Sequence, residues 1–184
     1  PDAAVEPRQP GAAVARATSA ALAVDTPRFV PLPAAGVNPA HFDHAGGLAA
    51  LKASTGARLF ASSADATLLE NGGKGDFRWG DEGAFPAVAV DRRLADGEQV
   101  TLGGTTLTAR LTPGHTRGAT TWTFRVESFD VVIVSSASIL DYRFVGAESY
   151  PGIAADFERT FATLKSLPVQ IFLAPHGGFF DLAG

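Results

Sequence analysis

Three observations predict an α/β domain with its functional site along one sheet edge. Helical and strand-like patterns alternate through most of the chain. Only four histidines are present, His41, His44, His115 and His176. The last two each lie between a strand-like run and turn residues, in Pro113-Gly114-His115-Thr116 and Ala174-Pro175-His176-Gly177-Gly178. Loops at strand ends are where a rigid scaffold usually carries its reactive side chains.

The elements follow in order. Between positions 1 and 40 there are twelve Ala and seven Pro with no sustained period, so residues 1–37 read as an arm or atypical lead-in, more extended than folded, with Ala13 to Val24 offering one weak helix. Residues 38–184 form the domain. Ala45 to Ser54 has a helical pattern with Leu48 and Leu51 on one face and Gly56 as its stop. Residues 58–62 suit a short strand, and Ser63 to Glu70 a helix capped by Ser63. Residues 71–86 are rich in turn formers, and Phe77, Trp79 and Phe85 are expected to serve packing within that loop. Val88 to Leu94 leads into an Asp96-Gly97 turn. Residues 99–102 and 105–111 flank the Gly103-Gly104 pair as a hairpin. Thr120 to Val126 alternates as a half-buried strand, and Phe129 to Val134 is apolar enough to be central. Ile153 to Leu167 is an amphipathic helix carrying Phe157, Phe161 and Leu164, closed by Pro168. Residues 169–174 form a last strand that delivers His176.

Composition narrows the function. The chain has 184 residues, 46% hydrophobic and 18% charged, with a net charge of −4 and no Lys/Arg-rich block. That length suits one domain with a sizeable core. Binding to a nucleic acid backbone needs clustered cations, so no nucleic acid partner is expected. No apolar run approaches 18 residues, so no membrane-spanning helix is expected, and no signal peptide is visible after Pro1-Asp2. Cysteine is absent, which excludes disulfides, thiolate metal sites and cysteine nucleophiles. The P-loop, the dinucleotide-binding glycine pattern and the Gly-x-Ser-x-Gly elbow are likewise missing.

What remains is the stretch His41-Phe42-Asp43-His44-Ala45-Gly46-Gly47, with two imidazoles and a carboxylate in four positions. Nitrogen and oxygen donors of this kind suit zinc, and catalytic zinc sites favour such mixed sets. His-x-Asp-His followed by Ala-Gly-Gly, then Pro-Gly-His-Thr and the late Ala-Pro-His, resembles the metallo-β-lactamase superfamily, closest to the third subclass of true metallo-β-lactamases. The similarity runs from His41 to about Leu182 and includes Leu111-Thr-Pro-Gly-His-Thr-Arg-Gly, Thr120-Thr-Trp-Thr and Tyr150-Pro-Gly-Ile-Ala-Ala-Asp.

The resemblance implies an αβ/βα sandwich with two zinc ions at one sheet edge, and hydrolysis of the β-lactam amide by a metal-bound hydroxide. Carried over residue by residue, His41 and His115 belong to the first metal position, and Asp43, His44 and His176 form the second. Asp43 would also orient the nucleophile, and Ser136 and Ser138 would hydrogen-bond a water or the substrate carboxylate. It also implies a periplasmic or secreted protein.

Two departures shape the expectation. The family's His-x-His-x-Asp-His pattern needs a histidine two residues before His41, where this chain has Pro39. One tight zinc ion at Asp43, His44 and His176 is therefore expected, with a second weak or absent. Residues 1–37 match none of the family's first sheet, and the chain stops soon after His176, as in a truncated or rearranged relative. A sandwich incomplete in its N-terminal sheet would bare an apolar face, so self-association covering that face is expected. The functional alternatives are a catalytically inactive zinc-binding remnant, or a hydrolase of another ester or lactone.

Overall fold

A computed structural model describes residues 40–102, 104–179 and 181. Pro39, the arm at 1–37 and Leu182 lie outside the described residues. Among those described, the order is helices α1 (Phe42–Ala45) and α2 (Leu48–Thr55), strand β1 (Phe60–Ser62), helix α3 (Ser63–Glu70), the strand run β2 (Arg92–Leu94), β3 (Gln99–Leu102), β4 (Thr105–Leu111), β5 (Thr120–Val126) and β6 (Phe129–Ile133), helix α4 (Ile153–Ser166) and strand β7 (Ile171–Leu173). The expected alternation of helix and strand thus gives way to five consecutive strands in the middle of the domain.

The strands form two sheets. β1 and β2 pair in parallel, with α3 in the connection between them. The second sheet has the order β3-β4-β5-β6-β7, antiparallel until β7 joins β6 in parallel through α4. The register pairs Val100 with Leu107, Ala109 with Trp122 and Trp122 with Ile133. Partners directly opposite share a face, so the alternation in β3 to β6 places these apolar side chains on one side. Phe60 and Leu94 from the smaller sheet pack against that side, where Phe124 and Leu173 stay only partly buried. A second cluster joins α2, β1 and α3 through Leu48, Leu59, Ala61, Ala66 and Leu69. A third gathers Tyr142, Tyr150, Ile153 and Phe157 around α4.

Several sequence expectations shift in detail. The helix expected from Ala45 to Ser54 is two helices, because a one-turn helix already spans the His-Asp-His cluster and the chain bends at Gly46-Gly47 before α2. Gly56, at φ 66°, ends α2 as expected. Ser62 rather than Ser63 caps α3, its Oγ accepting from the Asp65 amide, since only the residue before the first turn points back at the unpaired amides. The strand expected over 169–174 is shorter, at Ile171–Leu173. Phe77 packs against the rings of Tyr142 and Tyr150 at 5.3 and 4.7 Å, as loop packing requires, whereas Trp79 lies edge-on to His41 at 6.3 Å.

Candidate metal centre

Helix α1 begins on His41 as its N-cap and puts Asp43 and His44 side by side in its single turn. Strand β7 ends at Leu173, and His176 follows at the mouth of a short 3-10 turn, Gly177–Phe179. The two segments meet. His44 Nε2 lies 3.1 Å from His176 Nε2 and 2.9 Å from Asp43 Oδ2, and His176 Nε2 lies 3.8 Å from the same carboxylate oxygen. Asp43, His44 and His176 thus offer three donor atoms within 4.8 Å of one another, the metal-competent group among the described residues. Zinc bonds of about 2.0–2.2 Å in a tetrahedral shell put neighbouring donors about 3.4 Å apart, and the three separations straddle that value. The residues fit a zinc ion.

Burial lowers the pKa of His44, and the imidazoles of His176 and His41 add to the effect while Asp43 opposes it. A neutral ring keeps the lone pair a metal needs.

His41 and His115 form a second, more buried pair, with ring centroids 4.9 Å apart. Strand β4 ends at Leu111, Thr112 and Pro113 follow, and Gly114 turns the chain at φ 134° so that His115 faces back toward His41. A side chain at Gly114 would press on Phe157 at 2.9 Å, so helix α4 closes directly beneath this loop. Thr160 of α4 donates to the Pro113 carbonyl at 2.6 Å, and Tyr142 donates to the His115 carbonyl at 3.0 Å. His115 Nδ1 lies 3.0 Å from the Ser138 carbonyl, which can only accept, so Nδ1 carries the proton and Nε2 keeps its lone pair. Burial pushes the His115 pKa down to about 4, against the pull of that carbonyl.

Ser136 and Ser138 lie in the segment next to this loop: Ser136 Oγ accepts from the Ser138 amide at 3.2 Å, and Ser138 offers its carbonyl to His115. Sequence reasoning missed Asp76. Its side chain is 4% exposed and its Oδ2 stands 3.7 Å from His41 Nε2. Burial would raise its pKa, but His41 and the amides of Trp79 and Arg78 outweigh that and lower it. Nothing in the sequence marks it among the turn residues around it beyond its place beside Trp79.

Strands and helices that carry two imidazoles and a carboxylate to one edge, beside a second imidazole pair, define an α/β metal-binding domain. The family model described as the metallo-beta-lactamase superfamily matches residues 40–176. The chain belongs to that superfamily.

Solved structures agree. A metallo-beta-lactamase mutant from Cronobacter sakazakii matches with a TM-score of 0.78 and 42% identity over 85% of this chain and 60% of its own. The subclass B3 enzyme BJP-1 of Bradyrhizobium japonicum matches with a TM-score of 0.73 and 40% identity, over 79% of this chain and 57% of its own. The class B3 di-zinc enzyme LRA-12 from an Alaskan soil metagenome matches at 0.74 and 35% identity, over 79% and 58%. The chain therefore spans about 60% of the length of the first of these and slightly less of the others. Among the described residues no helix is long and apolar enough to cross a membrane.

Proposed function

We propose that this chain is a zinc-dependent hydrolase acting on the amide of a β-lactam. The observation that carries the reading is the meeting of Asp43, His44 and His176, three donors from opposite ends of the domain, at the spacing of a zinc shell. His44 and His176 would hold the metal through Nε2, and Asp43 through Oδ2. A zinc ion held there supplies an acidified water and a Lewis acid for the carbonyl. Asp43, bound through one oxygen, has a second with which to accept a hydrogen bond from the attacking water and fix its direction. His41 and His115 make a second, weaker position, because Pro39 has no donor where the family pattern has a histidine.

The relatives named above are metallo-beta-lactamases, which supports a small-molecule β-lactam as substrate, an antibiotic-resistance role and a periplasmic or secreted location. Phe124 and Leu173, only partly buried on the inner sheet face, support self-association. Sedimentation at micromolar protein tests that, and a lone monomer would remove it.

A second reading, a zinc-binding domain without turnover, has its own support: the first position lacks a ligand and Ser136 Oγ is engaged within its loop. Hydrolysis of a chromogenic cephalosporin with added zinc, compared with a His176→Ala variant, separates the two. A zinc-dependent rate abolished in the variant supports the hydrolase; equal rates remove the zinc mechanism.

A further inference from the structure

The strongest feature outside the donor triad is the buried contact between His41 and Asp76. Asp76 sits in the turn-rich segment between α3 and β2, where an isolated bridge pairs it with Gly80. Its Oδ1 accepts from the amides of Arg78 and Trp79 at 2.8 and 2.9 Å. Those two bonds fix the carboxylate plane and aim the other oxygen, Oδ2, at His41 Nε2 across 3.7 Å. His41 is 6% exposed, and its Nε2 is buried with no hydrogen-bond partner among the described residues. The ring is also braced by its neighbours, Trp79 meeting it at an interplanar angle of 88° and His115 at 65°.

An imidazole whose buried nitrogen faces a carboxylate places its proton on that nitrogen, because a lone pair turned toward an anion is repelled. Carboxylates behind metal-ligating histidines act in this way, fixing tautomer and ring orientation. We propose that Asp76 is a positioning residue for the first metal position: it holds His41 as the Nε2–H tautomer and so leaves the Nδ1 lone pair as the donor to a metal. The arrangement matches that of His115, whose Nδ1 proton is taken by the Ser138 carbonyl so that Nε2 is the donor. With Pro39 in place of a ligand, the two histidines carry this position between them. A His41 trapped in the other tautomer would leave His115 alone.

The tautomer claim stands without the hydrolase reading; only the metal consequence rests on it. An Asp76→Asn variant is a sharp probe. Its amide oxygen can still accept from Arg78 and Trp79, keeping the turn, while its NH2 group faces His41 Nε2 as a donor and demands a lone pair there. Long-range proton–nitrogen correlation spectra of the metal-free full chain at pH 8.5 report each histidine's tautomer. The expected result is Nε2–H for His41 in the native chain, Nδ1–H in Asp76→Asn with His115 unchanged, and Nε2–H again in Asp76→Glu. A native His41 protonated on Nδ1, or a tautomer indifferent to Asp76→Asn, overturns the proposal. Cobalt(II) titration gives the second readout: the weaker equivalent should lose about 10- to 100-fold in affinity in Asp76→Asn while the tight one is unchanged. Loss of both equivalents alike, or of neither, speaks against a positioning role.

Discussion

His44 Nε2 and His176 Nε2 stand 3.1 Å apart although 132 residues separate them in the chain. Two lone pairs do not face each other at that distance without a proton or a cation between them. A metal ion placed between them would take both lone pairs, and its binding would displace any proton held there. Replacing His176 with Ala removes one of three donors, so zinc affinity measured against a chromogenic chelator should fall by more than about 100-fold. An affinity unchanged in His176→Ala would remove His176 from the site.

A buried carboxylate gives the domain a pH dependence of its own. Asp65 is 1% exposed; its Oδ1 accepts from Thr116 at 2.9 Å, and its Oδ2 has no hydrogen-bond partner among the described residues. Burial raises its pKa to about 7, the Thr116 bond opposing. A carboxyl raised from about 3.8 to about 7 on folding binds more protons in the native state across that window. Its contribution is thus full at pH 4, declines as pH rises, and levels off above 7. Asp65→Asn keeps an acceptor for Thr116 and carries no charge, so chemical denaturation should show it more stable than the native chain at pH 8, by up to about 4 kcal/mol, with the advantage vanishing near pH 4. A pH-independent difference would show that Asp65 is not buried as a titrating acid.

His115 works in the opposite sense. Its pKa, pushed down to about 4 by burial, lies below that of an unfolded histidine near 6.5. The unfolded state then binds more protons between these values, so stability is lost as pH falls from about 6.5 to about 4 and is unaffected above. In metal-free protein, His115→Gln should flatten that limb of the stability curve. A limb as steep as in the native chain would place the acid sensitivity elsewhere.

Much of the fold is legible in the sequence. The segment Ser63–Glu70 carries its period cleanly, because α3 buries Ala66 and Leu69 on one face. Thr120–Val126 is a strand as expected, but its burial runs from a covered start at Thr120, Thr121 and Trp122 to an exposed end at Arg125 and Val126 instead of alternating. The one-turn helix α1 is not legible: four residues give no period, and its geometry comes from Ala45 being buried against the α2–α3 cluster. Motif resemblance names the Asp43, His44 and His176 set, and the fold brings it together. Asp76 is invisible for a different reason. Its meaning lies in a contact 35 positions away from His41, made only when the turn around Gly80 folds its carboxylate inward. Ser136 and Ser138 resemble substrate contacts by motif; the structure adds that the Ser138 carbonyl meets His115 and that Ser136 Oγ accepts from the Ser138 amide, contacts that hydroxyl spacing alone does not carry.

Besides the hydrogen bonds from Thr160 and Tyr142, the loop that presents His115 rests on the ring of Phe157. Phe157 is 3% exposed on α4, lies against Gly114, and meets Phe144, Phe161 and Tyr142 at ring separations of 5.5, 5.8 and 6.2 Å. Truncating such a residue removes its transfer free energy and leaves a cavity, so Phe157→Ala should cost about 3–5 kcal/mol. The cavity would open beneath Gly114, freeing the loop to sink and carrying His115 away from His41. The triad is different, because Asp43 and His44 hang on α1 and His176 on the end of β7, neither of which rests on Phe157 among the contacts of that cluster. At a temperature where Phe157→Ala remains folded, zinc titration should therefore show the tight equivalent retained and the weaker one diminished. A variant that loses the tight equivalent while keeping its native circular dichroism would show instead that the two positions share one support.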